Sequence, residues 1–258
     1  FIIGAIGAII LGIFSFTLPK CPPPKSIAKD AGFAEQMGLQ AFKLFGNYKM
    51  ALFFLFSMLL GAALQLTNMY GDSFLTSFDK IEAFKDSFVV KYSTIILSIS
   101  QMSETLFILT IPFFLKKFGI KKVMLFAMLA WVLRFGLFAY GDPTAMGTVH
   151  IILSCIVYGM AFDFFNISGS LFVETSTDSS IRSSAQGLFM MMTNGVGAWL
   201  GSTVSGMVIG KYYINADGSS NWQGIWFAFA VYALVIAILF AVLFKHKHVP
   251  EEVATVQH

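Results

Sequence analysis

Polar residues are sparse along this chain and fall in short clusters. The apolar stretches between them have the lengths of membrane-crossing helices. Six such runs lie near Met50–Tyr70, Phe88–Leu115, Val123–Tyr140, Val149–Val173, Leu188–Lys211 and Gly224–Phe244. A bilayer core is crossed by about 20 residues at 1.5 Å of rise each, so each run is read as a spanning helix. The opening run Phe1–Leu18, with Gly4, Gly7 and Gly12, is read as the end of a seventh, closed by Pro19. The connections are Gly71–Ser87, Lys116–Lys122, Gly141–Thr148, Glu174–Gly187 and Tyr212–Gln223.

The one long polar connection is Pro19–Lys49. Its Lys20-Cys21-Pro22-Pro23-Pro24-Lys25 stretch must be extended, because consecutive prolines enforce polyproline geometry. Ser26 is placed to cap a short amphipathic helix through about Phe45, with Phe33, Met37, Leu39, Phe42 and Phe45 as its apolar residues. The expected organisation is therefore a partial helix over 1–18 and a linker over 19–49. A six-helix domain over 50–244 and a tail over 245–258 follow. The first residue is Phe1 and the chain opens inside an apolar run, so an N-terminal part is expected to precede it; no signal peptide is read.

Composition agrees with the pattern. Of the 258 residues 57% are hydrophobic and 12% charged, with mean hydropathy +0.75. A soluble domain carries about 25% charged residues. An all-α integral membrane protein is expected. The net charge of +3 does not point to nucleic acid, because the Lys residues gather at helix ends and form no continuous basic stripe.

Charge placement orients the helices. With Pro19–Lys49 in the cytoplasm, the cytoplasmic segments hold twelve Lys and Arg residues, among them Lys116, Lys117, Lys121, Lys122 and Arg182. The opposite side holds four, Lys80, Lys85, Lys91 and Lys211. The positive-inside rule puts the linker and the C-terminal tail in the cytoplasm.

Three spanning runs carry polar residues at similar depth. Gln65 and Asn68 stand at i and i+3 in one, and Gln101 and Glu104 repeat that spacing in the next. In Val149–Val173, Tyr158, Phe162 and Asn166 form a stripe at i, i+4 and i+8, with Asp163 beside it. These groups suit one water-filled site: amides offer donors and acceptors, carboxylates accept from hydroxyls, and rings stack on a flat ligand. The plainer reading is that they hold helices to one another. That reading is weakest for Glu104 and Asp163, since a buried ionisable group is the costlier device.

Arg134, about six residues inside the outer end of its helix, is expected to snorkel outward or to pair with an acid such as Asp142. His150, His246, His248 and His258 are read as solvated. Gly195, Gly197, Gly201, Gly206 and Gly210 supply small-xxx-small spacing, which lets helix backbones approach closely. Cys21 and Cys155 are isolated thiols, and no residues show metal-ligand spacing. No His-Glu-x-x-His, Gly-x-Ser-x-Gly, Cys-x-x-Cys or Walker loop is present, so no enzyme is expected.

Six helices after a cytoplasmic linker resemble the C-terminal half of a major facilitator transporter. The Lys116-Lys117-Phe118-Gly119-Ile120-Lys121-Lys122 segment is similar to that superfamily's basic loop, without its acidic residue. More specifically, the chain resembles the NupG-like nucleoside:proton symporter family. The carrying residues are Gln65-x-x-Asn68, Gln101-x-x-Glu104, Tyr158 through Asp163, and the run from Arg182-Ser183-Ser184-Ala185-Gln186-Gly187-Leu188-Phe189 into Met192-Thr193-Asn194-Gly195-Val196-Gly197.

The resemblance implies helices seven to twelve plus the end of helix six, and proton-coupled nucleoside uptake across the cell inner membrane. It places Gln65, Asn68, Gln101, Glu104, Tyr158, Phe162 and Asp163 at the nucleoside site. Glu104 and Asp163 are the proton-coupling candidates, with protons as coupling ion and no other cofactor. The partners implied are a nucleoside, the lipid bilayer and an N-terminal six-helix half, with no nucleic acid. A carrier of sugars or other polyhydroxylated solutes is the alternative, and a membrane sensor or scaffold a more distant one.

Overall fold

The computed structural model describes residues 2–19 and 38–247. The polyproline stretch, Ser26, Phe33 and Met37 of the expected linker, and His248 and His258 of the tail, lie outside these residues. Among the described residues the elements are helical, and the sole β pairing is an antiparallel bridge between Ile214 and Ser220.

The chain divides into a unit up to Leu39 and a unit from Gln40. The first contains α1, Ile2–Ser15, whose described side chains are all exposed although nearly all are apolar. The second contains everything that follows. A 3-10 helix, Leu39–Gly46, leads into it. Over its described part the helix expected through Phe45 is this 3-10 helix, and Gly38 before it has φ 69°, outside the α-helical region.

Helix α2, Tyr48–Ser77, begins at Asn47, whose side-chain oxygen accepts from the N–H groups of Lys49 (2.9 Å) and Met50 (3.3 Å). It outruns the expected span by two turns, so Gly71–Ser87 is connection only in its second half. After a turn of helix at Phe88–Lys91 come α3, Ser93–Ile108, and α4, Ile111–Ala139.

The expected single span Phe88–Leu115 is thus broken twice. Pro112 explains the second break: it has no N–H for the Ile108 carbonyl, and its ring would clash there. Within α4, Gly119 adopts φ 77° and ψ 167°, a conformation open essentially to glycine alone. The chain doubles back there. The Phe114 and Phe126 rings lie 6.3 Å apart, whereas 12 residues of straight helix rise about 18 Å. The Lys116–Lys122 segment is therefore one glycine-centred reversal flanked by helix.

Helix α5, Ala145–Ser176, is followed by α6, Arg182–Met190, a π-helical turn, Met191–Gly197, and α7, Ala198–Tyr212, in one rod. Helix α8, Trp222–Leu243, closes the bundle. Tyr48–Lys80, Ala145–Ser176, Trp222–Leu243 and, within Ile111–Ala139, the longer limb beyond Gly119 are long and apolar enough to cross a membrane. The shorter α3 and the interrupted α6–α7 rod complete the set of six crossings expected from the sequence.

Helix α5 packs on α3 and α4, α8 on α4 and α2, and α2 on the π turn and α7. Lipid tails are as apolar as these side chains, so burial alone does not drive helices together. Close backbone approach and interhelical hydrogen bonds have to hold the bundle. Gly197 and Gly201 provide the first: a Cβ on Gly201 would come within 2.8 Å of the Ala62 Cα, and one on Gly197 would overlap the Met58 carbonyl. Gly206 and Gly210 face open space, so only part of the glycine run packs as expected. The Tyr232 hydroxyl provides the second, donating to the Leu59 carbonyl at 2.8 Å across α8 and α2.

His246 is not solvated as expected. Its Nδ1 lies 2.8 Å from the Lys49 ammonium, and its ring meets that of Phe172 edge-on at 5.5 Å. His150 is half-buried beside Tyr140, with its Nδ1 enclosed and unbonded. Both sit at helix ends, where neighbouring aromatic rings cover them.

Candidate functional site

Helices α3 and α5 touch backbone to backbone at Ser103 and Gly159. A Cβ on Gly159 would stand 2.5 Å from the Ser103 carbonyl carbon and 2.6 Å from its oxygen, so no larger residue fits without moving a helix. The Ser103 hydroxyl donates to the Ile156 carbonyl across the same contact. Glu104 follows Ser103 and Tyr158 precedes Gly159, so the contact sets these two side by side. The Tyr158 hydroxyl lies against the Glu104 carboxylate, and Asp163, just over one turn along α5, is close enough to feel the Glu104 charge.

Tyr158 is 6% exposed and Asp163 7%. Asp163 Oδ2 and Asn166 Oδ1 are buried with no hydrogen-bond partner among the described residues. Buried polar atoms are almost always paired, so two unpaired acceptors on consecutive turns of one helix mark a place built for something else. Aromatic surface adjoins them. The Tyr158 and Phe162 rings are parallel within 1° at 6.0 Å, and Trp131 meets Tyr158 edge-on at 5.7 Å. Phe162, Asn166, Trp131 and Thr193 line a narrow crevice of about 10 Å³, room for about one water, together with Leu60 and Leu64.

The π turn brings Thr193 to this crevice. There α2 and the rod approach so closely that a Cβ on Gly61 would overlap the Thr193 carbonyl. π turns inside α-helices are frequent at functional sites.

The structure therefore assembles Glu104, Tyr158, Phe162 and Asp163 into one cluster. Gln65 is half-buried, Asn68 and Gln101 are exposed, and their side chains make no hydrogen bond among the described residues. Gln101 stands one turn from Glu104 on α3, while Gln65 and Asn68 flank Thr67 on α2.

Arg134 departs from expectation. It neither snorkels nor pairs with Asp142, whose carboxylate accepts from the Thr144 backbone and hydroxyl instead. Its guanidinium is 1% exposed and donates to the Ser154 carbonyl at 2.8 Å, with longer contacts to Thr67 Oγ1 (3.4 Å) and Ser100 Oγ (3.5 Å). It lies over the Tyr158 ring at 4.3 Å and the Phe138 ring at 5.0 Å. The signal available in the sequence was the set of small hydroxyl residues, Thr67, Ser100 and Ser154, at matching depth on three helices. The Thr67 and Ser100 hydroxyls and the Ser154 carbonyl solvate a guanidinium that would otherwise seek water, while the Ser154 hydroxyl bonds the Arg134 main-chain carbonyl.

At the end of the bundle that carries Lys49, Arg182 pairs with Glu174 at 2.8 Å, and the Gln186 side chain donates to the Ser170 carbonyl at 2.8 Å. These bonds join α6 to α5. Among the described residues no three His, Cys, Asp or Glu side chains are grouped to hold a metal ion.

A family model described as Nucleoside H+ symporter matches residues 1–249. The xanthosine permease of Escherichia coli (strain K12) is 57% identical over 246 residues, which are 95% of this chain and 58% of that protein. Nucleoside permease NupG of the same organism is 56% identical over 258 residues, covering 99% of this chain and 61% of the relative. Crystal structures of NupG and of a point mutant of it superpose with TM-scores of 0.78 and 0.82 at 56% identity. They cover 95% and 94% of this chain and 60% of each NupG chain. The chain thus spans about three-fifths of the length of the curated relatives it matches.

Proposed function

We propose, from the premise that this chain belongs to the nucleoside H+ symporter family, that it is the C-terminal part of a carrier that takes up nucleosides together with protons. The observation that carries the reading is the cluster at the Ser103–Gly159 contact. Two carboxyl groups and a pair of parallel rings adjoin one another inside a membrane bundle, with Asp163 Oδ2 unpartnered. Ribose hydroxyls donate to carboxylates and amides, and a nucleobase lies flat on aromatic faces. Gln65, Asn68 and Gln101 supply the amides in this reading, with Asn68 and Gln101 reaching into a space that a second half encloses. Glu104 and Asp163 are the groups that couple the proton. Two six-helix halves rock about the site by alternating access in the inner membrane, with linker and tail in the cytoplasm.

The test uses the full-length transporter in proteoliposomes. An imposed proton gradient drives accumulation of radiolabelled uridine, adenosine or xanthosine, and a protonophore abolishes it. Excess nucleoside competes and free ribose does not, because ribose offers nothing to the rings. Absence of gradient-driven uptake for every nucleoside tried sinks the reading. Competition by ribose alone converts it to a sugar carrier.

A further inference from the structure

The Arg134 side chain joins four helices. It sits on α4, bonds α5 through the Ser154 carbonyl, and reaches α2 through Thr67 and α3 through Ser100. The Ser154 hydroxyl returns a bond to the Arg134 main-chain carbonyl at 2.9 Å, so α4 and α5 are joined at the Arg134 backbone as well as at its guanidinium. Among the described residues it makes no ion pair, although Glu104 is near enough for their charges to interact. Between them stands Tyr158, with the guanidinium over its ring at 4.3 Å and the Glu104 carboxylate at its hydroxyl.

We propose that Arg134 is the positioning residue of the solute site: it pins the Tyr158 ring from behind and, through that ring, holds the Glu104 carboxylate at the Tyr158 hydroxyl. Three features make the arrangement more than packing. A guanidinium is expensive in a bilayer interior, and an apolar side chain would fill the same volume at lower cost. The ring it faces is the one that borders both carboxyl groups. Its attraction to the π face is directional, so it sets the ring plane as well as the ring position.

Other charged and titratable groups around Arg134 are few. Helix α3 contributes Glu104; α5 contributes Tyr158, Cys155 and, further off, Asp163; α2 contributes only the Thr67 hydroxyl. Glu104 is thus the nearest carboxylate on which the positive charge acts.

The inference rests on the nucleoside reading for its transport test and has a second test that does not. Arg134→Gln in the full-length transporter is expected to raise the nucleoside KM by about tenfold while Vmax per folded molecule changes less than about twofold. Arg134→Lys, which keeps the charge without the planar fork, restores the KM in part. In a Tyr158→Phe background, which keeps the ring and removes the hydroxyl, Arg134→Gln adds less than about a twofold further change. Equal factors in both backgrounds, an unchanged KM, or a fall in Vmax alone overturns the proposal.

Infrared spectra of the purified protein supply the second test. The Glu104 carboxylate band, identified by its loss in Glu104→Gln, shifts in Arg134→Gln. A band that stays in place overturns the proposal whatever solute the carrier takes. A missing nucleoside signal in the native protein, with the band shift present, overturns the nucleoside reading alone.

Discussion

A carboxyl that is 7% exposed, with one oxygen unbonded, is a costly thing to keep inside a membrane bundle. Asp163 meets that description, and Glu104 does not: Glu104 is half-buried, with a phenol hydroxyl against it and Arg134 in range. The two acids therefore face different environments, and on the proposed reading Asp163 is the acid to test first as the proton carrier. Replacing it with an amide removes a buried charge site and costs no hydrogen bond at Oδ2. Asp163→Asn is expected to leave the melting temperature of the full-length transporter unchanged or a few degrees higher. In proteoliposomes it exchanges nucleoside across the membrane, yet no longer concentrates it under a proton gradient. Retained concentrative uptake assigns the proton to Glu104 or to residues beyond this chain.

At the scale of elements, glycines act where two backbones meet and where the chain reverses. Gly159 seats α5 on Ser103, and Gly61 seats α2 on the carbonyl of Thr193. Gly159→Ala is expected to destabilise by about 1–3 kcal/mol, since the added methyl meets main chain that cannot yield. Because α5 must back away from α3, nucleoside affinity falls with it, measurable as a rise in KM beside a lower melting temperature. Gly206→Ala meets nothing within 4 Å and sits within α7. It is expected to raise stability by about 0.5–1 kcal/mol through the smaller entropy loss, with KM unchanged. At the reversal between the limbs of α4, Gly119→Ala places a side chain at φ 77°, and a loss of about 1–3 kcal/mol is expected in thermal unfolding.

At the scale of the molecule, the exposed amides of α2 and α3 are the groups that the proposed function needs a second half to enclose. The chain by itself in liposomes is expected to show no uptake, and joining it to the N-terminal half of the full-length protein to restore it. Orientation is separately testable in intact cells. In a full-length background without native cysteines, Asp217→Cys, in the connection between α7 and α8, is labelled by a membrane-impermeant maleimide added outside. Lys116→Cys, beside the Gly119 reversal, is labelled only after permeabilisation. The opposite pattern refutes the orientation drawn from the Lys and Arg distribution.

The sequence by itself determined the helical membrane class, the set of crossings, and the polar positions worth examining, because hydropathy and i, i+3 spacing are local properties of a chain in lipid. It placed Glu104, Tyr158, Phe162 and Asp163 at comparable depth, and these do form one cluster. Run lengths could not show that Phe88–Leu115 breaks at Pro112, that the Lys116–Lys122 segment shrinks to a turn at Gly119, or that Met191–Gly197 winds as a π turn. The Pro112 break follows from the proline itself, while the Gly119 reversal and the π turn depend on what each backbone meets. Arg134 is the clearest case. A lone guanidinium near a helix end is expected to reach for water, and only the hydroxyls and carbonyl brought to it from α2, α3 and α5 make the interior the better solvent. Tertiary structure decided its place, because those partners are distant in sequence and each is unremarkable alone.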